Sequence, residues 1–394
     1  MRATTVPLEA PIDLNDVAAG DGVLFVRDGV GVAGRGVAAR VSVDDAPALL
    51  ASIEHRDEVG GRSPVAIGWV PFEPGGRGEV ILPALLVGKA ADGTQWVTRI
   101  EGGDEVAPAL TGAPRPAPRA QAFTVAPLTP IERYLAAVTT ARDAVRAGAL
   151  TKAVIAREVS VSSDEPIDVH AVLLRLRGSF GSSHRYSIDG LIGASPELLV
   201  AVDGHIVRSH PLAGTAPRTG DPATDARVAA DLIASTKDQV EHRVVIDMIH
   251  DTLLPWCSYL DWEPEPSIVT VANVQHLGTA MEGRLSDPRP HVLELVRALC
   301  PTPALGGFPR DEALTLIAAA EGFERGRYGG AVGWVDAAGN GTWAVTIRCA
   351  ELSADRRTAR LVAGGGIVSA SEPALELAET QAKLQAMLSA IVRP

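Results

Sequence analysis

Runs that favour strands follow one another along this chain with only short Gly- and Asp-rich turns between them, and that succession limits the fold more than any other feature. Residues 22–26, 64–70 and 79–83 are apolar, β-branched stretches bounded by turn residues. Residues 185–189, 197–202, 331–336, 342–351 and 360–368 read the same way, and another strand is expected from near Thr151. A strictly alternating parallel sheet needs a long crossover before each new strand, and such spacing is not the rule here. We therefore expect an α+β chain of mainly antiparallel sheets flanked by helices. Apolar residues at helical spacing place those helices at 131–147, 223–234, 237–254, 290–299, 310–321 and 373–392.

The clearest punctuation is residues 106–130, whose prolines resist both helix and ladder. It reads as a linker between a strand-rich region, 1–105, and a longer region, 131–394, the two forming one structural unit. No run of eighteen apolar residues appears, so we expect no membrane span. The three cysteines, Cys257, Cys300 and Cys349, have no zinc-type spacing and read as reduced thiols in a cytoplasmic protein. A formal charge of −12 without a basic run excludes a nucleic-acid partner. Lys and Arg total 36, yet only Lys89, Lys152, Lys237 and Lys383 are lysine. In such a composition a position needing only positive charge tends to be Arg, whereas a deprotonatable amine has to stay Lys.

Two helices carry acidic pairs at i,i+3: Asp238 and Glu241 on one, Glu376 and Glu379 on the other, with Lys383 following at i+7 from Glu376. Taken plainly, Glu379 and Lys383 form a solvated i,i+4 pair worth about 0.3–0.5 kcal/mol. If the helices face each other, four carboxylates gather around one hard cation, and Mg²⁺ prefers such oxygen ligands. The glycine triplet 364–366 fails as a dinucleotide fingerprint. It reads either as a tight turn or as a place where backbone N–H groups approach an anion. Lys152 opens a strand, where an exposed lysine is the default. Glu197 lies in an apolar stretch, where burial would raise its pKa and make it a proton donor. His276 reads as a core histidine, and Tyr328 and Arg348 as interior residues.

In order along the chain, residues 150–157, 193–200, 210–218, 237–247, 301–313, 324–336, 346–351 and 363–383 resemble the chorismate-utilising enzymes, a group that includes isochorismate, salicylate, anthranilate and aminodeoxychorismate synthases. The likeness runs from about residue 130 to the end. It implies the fold of anthranilate synthase component I, chorismate as the substrate and Mg²⁺ as the cofactor. By the same resemblance Glu241 and Glu379 match metal-binding glutamates, supported by Asp238 and Glu376. Arg348, Tyr328, Lys383 and the main chain near Gly364 match groups that hold substrate carboxylates. Gly214 and Thr215 match the lining of the ring pocket, and His276 a histidine beside the reacting ring.

Within that group the nucleophile decides the product. Lys152 matches the base that activates water, where ammonia users carry Gln, and Ala213 stands where aminodeoxychorismate synthases carry a nucleophilic lysine. The resemblance thus implies a water-adding isochorismate synthase, most clearly at 332–336 and 347–351, with Lys152 as base, Glu197 as acid and no glutamine amidotransferase subunit. Salicylate synthase, which goes on to expel pyruvate, is the alternative. A third reading is a silent protein that binds chorismate or metal without turnover.

Overall fold

The computed structural model of the chain describes residues 1–102, 110 and 121–393. Among these residues the strands form sheets of thirteen, nine and three. The pairing is antiparallel as expected, apart from a parallel pair of Arg2–Pro7 with Glu54–Asp57 at the rim of the largest sheet. Strands from either side of residue 106 are interleaved. Val23–Arg27 pairs with His184–Ile188 in the large sheet, and Val65–Val70 with Ala331–Asp336 in the nine-stranded one.

The two large sheets face each other across a core in which Phe25, Ile155 and Tyr186 meet Ile67, Val332 and Trp343. The opposite face of the thirteen-stranded sheet is covered by helices Leu14–Ala18, Val169–Phe180 and Pro373–Val392, through side chains such as Val17, Leu173 and Leu388. Alternate residues of one strand therefore serve two cores, as the period-2 pleat requires: Phe25 enters the first, and Leu24 and Val26 the second.

Most of the linker expected at 106–130 lies outside the described residues. Its final part differs from that reading, because Phe123–Pro127 pairs as an edge strand with Lys152–Ser163. Proline is tolerated there, since an edge strand has one side whose N–H groups need no ladder partner. The strand expected over 342–351 is two strands. Gly341–Val345 belongs to the nine-stranded sheet and Cys349–Leu352 to the large one, with Arg348 between them at φ 53°. Helix Val169–Phe180, capped by the Asp168 side chain on Ala171 N–H, was not expected. No helix among the described residues is long and apolar enough to cross a membrane.

Candidate active site

The site is built on two neighbouring antiparallel strands of the large sheet, Lys152–Ser163 and Thr358–Ile367, in the register Ala156↔Gly364, Ile155↔Gly365 and Val154↔Gly366. The glycine triplet is therefore not a turn; it lies within a strand. Its use is spatial. A Cβ on Gly365 would stand 2.9 Å from Glu376 Oε2 and 3.8 Å from Glu379 Oε1, and one on Gly366 would stand 2.3 Å from Glu241 Oε1. Glycine lets the two helices, Thr236–Leu253 and Pro373–Val392, bring their carboxylates down onto the backbone of the strand. Gly214 does the same for Asp238, whose Oδ1 would lie 3.3 Å from a Cβ there.

The four carboxylates thus occupy one region, but each has a protein partner. Lys152 Nζ lies 2.8 Å from Glu241 Oε1, Lys383 Nζ 2.6 Å from Glu379 Oε1, and Lys237 Nζ 3.6 Å from Glu376 Oε1. Ser235, the cap of helix Thr236–Leu253, donates its hydroxyl to Asp238. The plain reading of Glu379 and Lys383 as a solvated pair is replaced by a pair turned inward, Lys383 also donating to Gly364 O at 2.9 Å. Among the described residues no three acidic, histidine or cysteine side chains already converge as a formed metal site. The donor set still suits a hard cation. Burial and like-charge neighbours push the Asp238 and Glu376 carboxyls above their usual range, a sign of crowded negative charge that a divalent ion relieves. Burial pushes the Glu241 carboxyl up, but Lys152, joined by Lys383 and Lys237, holds it below its ordinary value. Burial opposes the charge on Lys237, yet Glu376, Glu241, Asp238 and Glu379 together raise its ammonium above the usual lysine range.

Glu197 follows the strand Leu191–Ser195 and is 2% exposed. Among the described residues its carboxyl has one long contact, from Leu212 N–H at 3.5 Å. Burial drives its pKa up to about 8, against weaker opposition from that N–H, Lys152 and Lys383. At neutral pH Glu197 is therefore mostly a carboxylic acid.

The same cavity holds donors for anions. The turn at Arg348 carries its buried guanidinium into the pocket, where Nη2 donates to His276 Nε2 at 3.1 Å and Nη1 is buried without a partner among the described residues. Burial, then Arg348 and Lys383, hold His276 far below its ordinary pKa, so the ring is neutral. With Nε2 accepting, its proton belongs on Nδ1, 3.2 Å from Gly214 O and from Thr215 Oγ1. Tyr328 is buried and its phenol is pushed up by desolvation, so it remains a neutral donor.

Lys152, Glu197, Gly214, Thr215, Glu241, His276, Tyr328, Arg348, Gly364 and Lys383 all line one cavity, while Asp238, Glu376 and Glu379 stand beside it. Its volume is about 60 Å³. Ala304, Leu305 and Ile347 supply apolar wall that the sequence had left unassigned. Lys237 was also missed as a site residue, although the scarcity of lysine was a signal: three of the four lysines sit on the acidic cluster.

A cavity lined by a buried acid, amines and a guanidinium suits a small anionic molecule. The profile described as chorismate binding enzyme matches residues 77–392, and the chain belongs to that family. It is 40% identical over 344 residues to a putative isochorismate synthase of Mycobacterium tuberculosis, covering 84% of this chain and 87% of that protein. The crystal structure of a putative 2,3-dihydroxybenzoate-specific isochorismate synthase from Bacillus anthracis superposes with a TM-score of 0.80 at 32% identity, covering 96% of this chain and 97% of that one. Anthranilate synthase component I of Streptococcus pneumoniae shares the fold, with a TM-score of 0.71 at 22% identity over 98% and 92% of the two chains.

Proposed function

We propose that this chain is an isochorismate synthase, an isomerase that moves the hydroxyl of chorismate from ring carbon 4 to ring carbon 2. The observation that carries the mechanism is Glu197, a buried carboxyl held protonated at neutral pH in the same cavity as a buried lysine. Water is a poor nucleophile and hydroxide a poor leaving group, so both ends need proton transfer, each worth roughly 10²–10⁴-fold. Lys152 takes a proton from water as its oxygen bonds to carbon 2. The ring double bonds shift, the bond from carbon 4 to oxygen breaks, and Glu197 protonates the departing oxygen. Atoms balance, because one water enters and one leaves.

In the structure the Lys152 nitrogen is engaged by Glu241. An ammonium offers no lone pair, so the base role requires Glu241 to turn to another cation. Glu241 and Glu379, with Asp238 and Glu376, would hold Mg²⁺, which when bound supplies a Lewis acid for a substrate carboxylate. Arg348 Nη1, Tyr328 and the Lys383–Gly364 corner orient the substrate anions. Ala213 leaves no nucleophilic lysine at that position, and Lys152, where ammonia users carry Gln, favours water, so no subunit that delivers ammonia is needed.

Incubation of the protein with chorismate and Mg²⁺ without ammonia tests this reading. Isochorismate approaching an equilibrium mixture without pyruvate is expected. Stoichiometric pyruvate with salicylate would assign the chain to the lyases, and unchanged chorismate would leave a binding protein.

A further inference from the structure

We infer that Lys237 is a tethered counter-ion for the acidic cluster, one that a divalent cation must displace, and that it therefore sets how readily the site takes its metal. This rests on the metal reading of Asp238, Glu241, Glu376 and Glu379.

The argument begins with charge. Four carboxylates lie around the strand glycines, and three lysines are paired with three of them. Lys152 and Lys383 line the reaction cavity, where the proposed chemistry gives each a task. Lys237 does not line it. It sits in the first turn of helix Thr236–Leu253, directly before Asp238, with 38% of its side chain exposed and its ammonium 3.6 Å from the nearly buried Glu376. Lysine at a helix N-terminus is on the unfavourable end of the helix dipole, where acidic residues are preferred. Its position is explained by what it faces, since Glu376 would otherwise be a buried carboxylate beside Glu379 with no cation.

A divalent ion that uses Glu376 competes with this ammonium for the same oxygens, and two cations on one carboxylate repel. The exposed stem gives Lys237 a way out toward solvent that fully buried Lys152 lacks. Lys237 thus neutralises the cluster without metal and withdraws when metal enters, which keeps the apparent affinity below what the carboxylates alone would give.

The test measures Mn²⁺ binding by electron paramagnetic resonance and Mg²⁺ binding by calorimetry, without substrate, on wild type, Lys237→Gln, Lys237→Met and Lys237→Arg, with Glu241→Ala as a control. Removing a positive charge a few ångströms from a divalent ion should tighten binding on the order of tenfold in the Gln and Met variants. Lys237→Arg should bind as wild type does. The metal-free Gln variant should melt lower than wild type and gain more from added Mg²⁺, a pattern that simple loss of packing does not produce. Metal affinity that is unchanged or weaker in both Gln and Met would overturn the inference. If wild type binds no Mn²⁺ more tightly than Glu241→Ala does, the metal reading fails and this inference fails with it.

Discussion

Replacing Glu197 with Gln should make the enzyme nearly inactive and, at the same time, change how its stability responds to pH. The carboxyl titrates at about 8 in the folded chain against 4.5 without burial. Between those values the folded state holds a proton that the unfolded state releases, so folding stability falls as pH rises, by about 1.4 kcal/mol per unit. Integrated from about pH 5 to about pH 7, Glu197 alone costs wild type roughly 2.5 kcal/mol, and Glu197→Gln is spared that loss. Groups that titrate identically in both proteins cancel in the difference. The amide keeps the shape of the protonated acid but has no proton to give, so turnover should drop roughly 10²–10⁴-fold. Wild-type kcat/KM should itself decline as pH rises through about 8, where the acid is lost. Urea unfolding at the two pH values and chromatographic rates would measure both arms. A stability difference that does not change with pH would refute the burial argument, and a variant of near-normal rate would refute the acid role.

Three further substitutions probe other parts of the site. Lys152→Ala should lower turnover by roughly 10²–10⁴-fold while the circular dichroism spectrum stays native; a rate close to wild type would remove Lys152 as the base. Gly366→Ala places a methyl 2.3 Å from Glu241 Oε1 and 2.6 Å from Lys152 Cε, so it should weaken Mg²⁺ dependence and cost about 1–3 kcal/mol. A normal metal titration in that variant would show that the strand glycines are not making room for the carboxylate. Arg348→Lys keeps charge but loses the planar fork whose Nη1 has no partner among the described residues; KM for chorismate should rise about tenfold with a smaller change in kcat. A fall in kcat alone would contradict a substrate-holding role.

Strand succession and antiparallel pairing were legible because turn residues and apolar alternation are local. So were most helices, whose apolar periodicity lies within a dozen residues. The break at Arg348 was not legible: Thr342 to Glu351 is a continuous strand-forming run, and only the need to join two facing sheets turns the chain there. Glu376 and Glu379 looked like one face of an exposed helix, since periodicity gives a face but not what covers it. The glycine triplet illustrates the same limit. Composition offered a turn or an anion cradle, whereas the reason for it lies on helices far away in sequence, whose carboxylates need the missing Cβ atoms. Lys237 was discoverable from the rarity of lysine, but its partner lies on another helix, and no spacing rule connects residues 237 and 376.

The central claim is that water enters at carbon 2 while the carbon 4 hydroxyl leaves. Running the reaction in heavy-oxygen water with Mg²⁺ and following the products by mass spectrometry tests it most directly. The account predicts one heavy oxygen in isochorismate from its first appearance, located on carbon 2, and a slower labelling of recovered chorismate at carbon 4 through the reverse reaction. Isochorismate that forms without any heavy oxygen would mean that the original hydroxyl migrates within the substrate, and would contradict the paired roles given to Lys152 and Glu197.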